Sequence, residues 1–182
     1  MKSSSQVAAA RRGRYAVLLS DRITTMLTSR AKYALRASLA LAEQFPSAGW
    51  TSASELAEMA DVPKKFLEAI LTQLRDEGLV ESRRGPAGGH RLTANPAGVT
   101  VADVIRSIDG PLAMTPCASA TAFRACDDCV DIETCRLRHI MRRARDAAAS
   151  VLEQCSLTDI LSESQSEAPA PRSRAMVPPL GL

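Results

Sequence analysis

Aliphatic residues recurring at helical spacing, two such segments split by the tight turn Asp61-Val62-Pro63, and an Arg- and Gly-rich hairpin pattern after Gly78 together predict a mainly α fold: a winged helix-turn-helix with a small β-hairpin wing and a long C-terminal helix. Composition agrees with this. The 182 residues hold 46% hydrophobic but only 3% aromatic side chains, so small aliphatic contacts must build the core, and one core of ordinary size is what the length allows.

Thr28 precedes a stretch with Ala34, Ala37, Leu41 and Phe45 on one face and Leu35, Leu39 and Ala42 beside them, a core-facing helix ending near Phe45-Pro46. Ser52 and Glu55 form a capping-box pattern ahead of Leu56, Ala57 and Met59, and the short helix they start stops near Asp61-Val62-Pro63. Pro63, at a first helical position, opens a third helix in which Phe66, Leu67, Ile70, Leu71 and Leu74 recur before Gly78 supplies a stop. Leu79 to Ser82 reads as a strand, Arg83-Arg84-Gly85-Pro86-Ala87-Gly88-Gly89 as a loop, and His90-Arg91-Leu92 as the returning strand.

Thr100 and Asp103 make a second capping box before Val101, Val104, Ile105 and Ile108, closed by Asp109-Gly110-Pro111. A cysteine-bearing loop follows. Leu137, Ile140, Met141, Ala144, Ala148, Val151 and Cys155 then trace one stripe along a helix of about 20 residues, with Arg136, Arg138, Arg142, Arg143 and Arg145 off or beside it. Such a stripe needs a partner surface. The expected organisation is an extension over 1–25, disordered or preceding a natural start at Met26; a winged helix over 26–95; a connecting helix, cysteine loop and long helix over 96–162; and a disordered Ser-, Ala- and Pro-rich tail over 163–182.

The net charge of +3 is uneven, since the first 25 residues carry +4 and the rest −1. DNA contact must therefore come from clustered cations rather than from the body as a whole. In a helix-turn-helix the second helix enters the major groove by its N-terminal end, where Lys64 and Lys65 stand here. The face opposite the Phe66, Ile70 and Leu74 stripe carries Lys65, Glu68, Ala69 and Thr72, a polar surface small enough to approach base edges. Arg83 and Arg84, at the base of a hairpin tip with little bulk from Gly85 to Gly89, suit a phosphate backbone or narrow minor groove, and His90 can assist.

The Ala16-Val17-Leu18-Leu19 segment is too short for a signal-peptide core and no run of 18 apolar residues occurs, which predicts a cytoplasmic protein without a membrane partner. Five cysteines in a reducing compartment point to metal or redox chemistry. Cys117, Cys126, Cys129 and Cys135 fall within 19 residues in the pattern C-x8-C-x2-C-x5-C, among Asp127, Asp128, Asp131 and Glu133. Such thiolates suit an iron–sulfur cluster or zinc. Structural zinc usually takes two close pairs, and only Cys126 and Cys129 form one, so zinc stands second. A metal-free thiol sensor, with thiolate favoured near Arg124, Arg136 or Arg138, is a third reading, and a cluster-free repressor sensing thiol stress or a small molecule is the rival within regulation. Cys155, on the apolar stripe, reads as a small buried hydrophobe, and His139, one turn beyond Cys135, as a solvated histidine or a further ligand.

Enzymatic function has little support: no Gly-rich phosphate loop follows a strand, no nucleophile–base–orienter set is visible, and only two histidines exist. A zinc-stabilised adaptor using the long helix to bind a protein is the rival of another class; salt-dependent DNA binding separates the two.

Residues 28–161 resemble the IscR/NsrR group of winged-helix regulators, the Rrf-two family. The motifs are Ser29-Arg30-Ala31-Lys32-Tyr33-Ala34-Leu35, Val62-Pro63-Lys64-Lys65-Phe66-Leu67, Gly78-Leu79-Val80, Ser82-Arg83-Arg84-Gly85, Gly88-Gly89-His90-Arg91-Leu92, Val104-Ile105, Ile108-Asp109-Gly110-Pro111 and Thr158-Asp159-Ile160-Leu161. The resemblance implies a repressor that is a homodimer joined by the long helix through Leu137, Ile140, Met141, Ala144, Ala148 and Val151, with palindromic double-stranded DNA as ligand. It places Ser29, Arg30, Lys32, Tyr33, Pro63, Lys64, Lys65, Thr72, Arg83, Arg84, Gly88, Gly89 and His90 at the DNA. It also implies an iron–sulfur cluster, of two or four irons, sensing redox state, iron or nitric oxide. Its ligands would be Cys117, Cys129 and Cys135, with Cys126 extra. Where a histidine is the fourth ligand in the family it lies three residues after the last cysteine, whereas His139 lies four after Cys135, and His90 replaces the tyrosine common at the wing. On this reading the cysteine loop lies between the long helix and the winged helix, and its state sets the spacing of two recognition helices on half-sites about 34 Å apart.

Overall fold

The computed structural model describes residues 27–46, 49–129 and 131–166. The expectations for residues 1–25, for a start at Met26 and for the tail over 167–182 lie outside the described residues.

Helix α1 (Ser29–Glu43) begins where the Thr28 hydroxyl accepts the Ala31 N–H at 3.1 Å. Helix α2 (Ala53–Ala60) opens on the expected capping box: the Ser52 N–H donates to Glu55 Oε2 at 3.0 Å and the Glu55 N–H to Ser52 Oγ at 3.2 Å. Those bonds hold the Glu55 carboxyl below its ordinary range. Asp61, at φ +49°, ends the helix in the left-handed conformation that short polar side chains tolerate. Helix α3 (Lys64–Asp76) follows, with Pro63 as its N-cap rather than its first helical residue. At its other end Gly78 takes φ +78°, its N–H donates to the Arg75 carbonyl at 2.9 Å and the Leu79 N–H to that of Leu74 at 2.9 Å, a Schellman closure. Leu79 is thus spent on capping, which is why strand β1 runs Val80–Arg83, one residue later than the sequence predicts. It pairs antiparallel with β2 (Gly89–Leu92), Val80 opposite Leu92.

Helix α4 (Val101–Asp109) starts at the Thr100–Asp103 capping box and buries Val101, Ala102, Val104, Ile105, Ser107 and Ile108. Helix α5 (Arg136–Gln154) is the long helix. A sixth helix, α6 (Leu157–Ser166), continues past the boundary at Glu163 where the tail was expected to begin. Its signal was the Ser156-x-x-Asp159 capping pattern: Ser156 N–H donates to Asp159 Oδ2 at 2.8 Å, and the Asp159 N–H to Ser156 Oγ at 3.2 Å.

Alanines make the α1 packing face. Ala31, Ala34 and Ala37 are fully buried, so α2, α3 and α4 approach α1 closely and meet over Leu56, Leu67, Ile70, Leu71, Leu74, Val104 and Leu157. Two expectations fail here, the first being Phe45, which lies beyond the end of α1 and is 43% exposed. Phe66 does not join the core stripe; it is 45% exposed, because Leu67 and Leu71 supply the inward edge of α3 in its place. Leu157 is fully buried in the same core and ties α6 to it. Leu157→Ala should cost about 2–5 kcal/mol of unfolding free energy, measured by urea denaturation, if α6 is part of the domain; a change within error would make it an appendage.

Candidate nucleic-acid interface and cysteine loop

The starts of α1 and α3 form one surface. Ser29, Arg30 and Lys32 are exposed, and Tyr33 stacks on Phe66 with ring centroids 6.2 Å apart. Lys65 Nζ lies 4.8 Å from the Phe66 centroid, and Lys64 Nζ donates to Ser54 Oγ at 3.0 Å. Lys65, Glu68, Ala69 and Thr72 share the exposed face, with the Thr72 hydroxyl donating to the Glu68 carbonyl at 2.9 Å. Behind it, Arg30 donates to Gln73 Oε1 at 2.7 Å and Gln73 Nε2 donates to the Ser107 carbonyl at 2.6 Å, fixing α3 against α4. Pro63 is exposed at the head of α3. The Tyr33–Phe66 pair was not foreseen, although the two residues lie in adjacent motifs.

On the wing, Arg83 ends β1 and Arg84 stands in the loop, both exposed. Gly88 and Gly89 are required by the backbone itself: a Cβ on Gly88 would collide with the Arg83 carbonyl, and one on Gly89 with the Thr51 backbone. Thr51 pairs with His90 through both main-chain bonds, at 3.1 and 2.8 Å, so the segment before α2 braces β2. His90 Nδ1 lies 2.9 Å from Ser82 Oγ, and burial, followed by the nearby Arg75 charge, holds the imidazole below its ordinary value.

Cys117 is 5% exposed in the helical turn Pro116–Ala118. Its thiol, 3.4 Å from Thr115 Oγ1, is held below its ordinary value by hydrogen bonds from Thr115 and then Cys126. Cys126, as donor in that contact, is raised. Cys129 is raised by burial and then by the neighbouring Cys135. Cys135 is the N-cap of α5, its Sγ accepting the Arg138 N–H at 3.4 Å, while Arg138 Nε donates to the Cys117 carbonyl at 3.2 Å. Arg138 thus joins the Cys117 turn to the head of α5, where Cys135 is the cap. Among the described residues no three His, Cys, Asp or Glu side chains stand together as one metal-holding group, and His139 is exposed. Cys155 is half-buried at the end of α5, and burial raises its thiol, with Glu163 and Asp159 adding to the effect.

Helix α5 buries no residue completely. The predicted stripe divides in two. Met141, Ala144 and Ala148 are half-buried, whereas Leu137, Ile140 and Val151 are 60, 46 and 68% exposed. Arg106 and Glu153 pair between α4 and α5, and the Thr28 N–H and hydroxyl donate to the two Asp109 carboxylate oxygens at 3.1 and 2.5 Å, joining α1 to the end of α4.

The Rrf2 family model, described as an iron-dependent transcriptional regulator, matches residues 27–163. The chain belongs to the Rrf2 family. Over 139 residues it is 38% identical to an rrf2-like HTH-type transcriptional regulator of Rhodobacter capsulatus, covering 75% of this chain and 93% of that one. An HTH-type transcriptional regulator of Mycobacterium tuberculosis is 36% identical over 134 residues, 74% of this chain and 80% of its own. Among solved structures, CymR, the global cysteine regulator of Bacillus subtilis, superposes with a TM-score of 0.60 at 28% identity, covering 75% of this chain and 96% of CymR. T. potens IscR, at 22% identity and a TM-score of 0.61 over 81% of this chain and 95% of its own, shares the fold. This Rrf2 chain is accordingly a DNA-binding transcriptional regulator, its relatives being regulators and not enzymes. No helix among the described residues is long and apolar enough to cross a membrane.

The depressed His90 value fixes a sign. Because the folded imidazole binds its proton less readily than the unfolded one, the unfolded state takes up more protons, and stability present above about pH 6.5 falls as pH drops through the folded value. Urea melts at about pH 7.5 and about pH 5.5 should show this acid loss in the wild type and less of it in His90→Gln; an equal loss in both would place the effect elsewhere. Gly89→Ala should lower stability by more than the roughly 1 kcal/mol range of ordinary strand propensity, read in the same melts.

Proposed function

We propose that the chain is a cytoplasmic homodimeric repressor, joined along Leu137, Ile140, Met141, Ala144, Ala148 and Val151, whose grip on palindromic operator DNA is controlled by an iron–sulfur cluster held through Cys117, Cys129 and Cys135. The supporting observation is the gathering of the loop thiols at the N-terminus of α5. There Arg138 donates to the Cys117 carbonyl, and its charge adds to the hydrogen bonds that hold the Cys117 thiol below its ordinary value. The donor set fits the group: soft sulfurs, one already capping a helix, on a loop short enough to close. Such a cluster supplies a charge and ligand set that responds to iron supply, oxidants or nitric oxide.

What the chain's own residues do follows from their placement. Lys64, Lys65 and Thr72 present α3 to base edges and phosphates, Ser29, Arg30, Lys32 and Tyr33 extend that face, and Arg83 and Arg84 meet the flanking backbone. The cysteine loop leaves directly from Gly110 at the end of α4, so a change in the loop bears on the helix against which α3 is pinned by Gln73. Cys126 stays outside the ligand set as the neighbour of Cys117, and His139 is a candidate for the fourth position.

A second reading, a cluster-free regulator responding to thiol oxidation, is favoured by one observation: the Cys117 thiol is held below its ordinary value, first by Thr115 and then by Cys126, and so toward the thiolate that oxidants attack. Similarity to CymR accords with it. Anaerobic purification with visible absorbance and iron and sulfide analysis separates the two. The cluster reading expects coloured protein, iron unaffected by Cys126→Ser, and an operator affinity that stops depending on iron when Cys117, Cys129 and Cys135 are all serine. Colourless, iron-free protein whose affinity responds to peroxide only while Cys126 is present would establish the second. In either case Arg84→Ala should weaken operator binding evenly across sequences and reduce the salt slope by about one, measured by fluorescence anisotropy.

A further inference from the structure

Between α4, the loop after it and α5 lies a cavity of about 410 Å³, walled by Ile105, Leu112, Met114, Ala148 and Leu152. That volume falls within the roughly 300–1,000 Å³ of small-molecule sites. The cysteines are not among its walls, and neither are the side chains that face DNA, but Ala148 belongs also to the stripe proposed for the dimer seam.

One cation lines this apolar space. Arg145 was expected on the outside of the helix, yet its side chain is only 14% exposed. One guanidinium nitrogen meets Asp146 at 2.8 Å on the solvent side, and its buried Nε–H has no hydrogen-bond partner among the described residues. A buried guanidinium with a free donor selects an acceptor, and its planar fork matches a carboxylate through two parallel bonds. Asp109 also lines the cavity, both oxygens occupied by Thr28. Its negative charge disfavours a doubly charged phosphate head and leaves a singly charged one as the better match.

We propose that this cavity binds a small amphipathic monocarboxylate, its apolar body between α4 and α5 and its carboxylate on Arg145. Binding of this kind does not rest on the cluster reading.

Calorimetric titration of the full-length chain with octanoate, octan-1-ol and octylamine tests it. The expected result is one octanoate per subunit, bound at least about tenfold more tightly than octanol, with no saturable octylamine binding. Arg145→Gln should lose about tenfold or more of the octanoate affinity, with Arg145→Lys intermediate. Ala113→Phe, which fills the cavity from the loop and leaves the arginine in place, should abolish binding and serves as the control if Arg145→Gln folds poorly. Equal affinity for octanoate and octanol, octanoate binding unchanged in Arg145→Gln and Ala113→Phe, or no saturable octanoate binding to the wild type would overturn the proposal. The last result includes the case in which a second copy of the chain covers the cavity. Iron content and operator affinity, measured on the same samples, report separately on the cluster reading.

Discussion

The structure depends on the burial of one nine-residue helix, Val101–Asp109, on two sides at once. Its inward face completes the core with α1 and α3, and its outer face receives the long helix. Three polar contacts fix the angle that packing leaves free: Gln73 to the Ser107 carbonyl, Asp109 to Thr28, and Arg106 to Glu153. Each belongs to a different neighbour, so the recognition helix, the first helix and the long helix share a support. Dense packing has few arrangements to choose from, and a shift at such a support is passed on rather than absorbed.

The cysteine loop is built on the same support. It begins where Gly110, at φ +81°, ends the central helix, and it finishes where Cys135 caps the long one. Arg138 closes the loop by gripping the Cys117 carbonyl from the first turn of that helix. The thiols therefore sit on the segment that leads from the central helix into the long helix, where a change of charge or of sulfur bonding acts on both.

Much of this was legible in the sequence because it rests on local rules. The capping boxes at Ser52 and Thr100, the glycine stop at Gly78 and the hairpin are decided within a few residues each, and the helices formed where those rules place them. What was hidden depends on which face meets which neighbour. Phe66 has helical core spacing, yet it lies outside and stacks on Tyr33 from another helix; Arg145 carries a charge, yet its side chain is only 14% exposed. The last helix was missed although its Ser156–Asp159 cap was readable, because Thr158 to Leu161 was read only as a motif and the Ser-, Ala- and Pro-rich tail was taken to begin at Glu163. At the candidate site, sequence spacing grouped the four thiols, but that Cys117 is buried while Cys135 caps the long helix depends on the loop's path, which spacing does not give.

The central claim is that the state of the cysteine loop reaches the DNA-reading helix through the Val101–Asp109 helix. Gln73→Met cuts the bond from the recognition helix to that support without touching a thiol, so the operator affinity of iron-replete protein relative to iron-depleted protein, determined anaerobically by fluorescence anisotropy, tests the claim most directly. The account predicts iron content and absorbance equal to the wild type, with the affinity ratio moving toward one by about threefold or more. A variant that keeps the full wild-type ratio would contradict it.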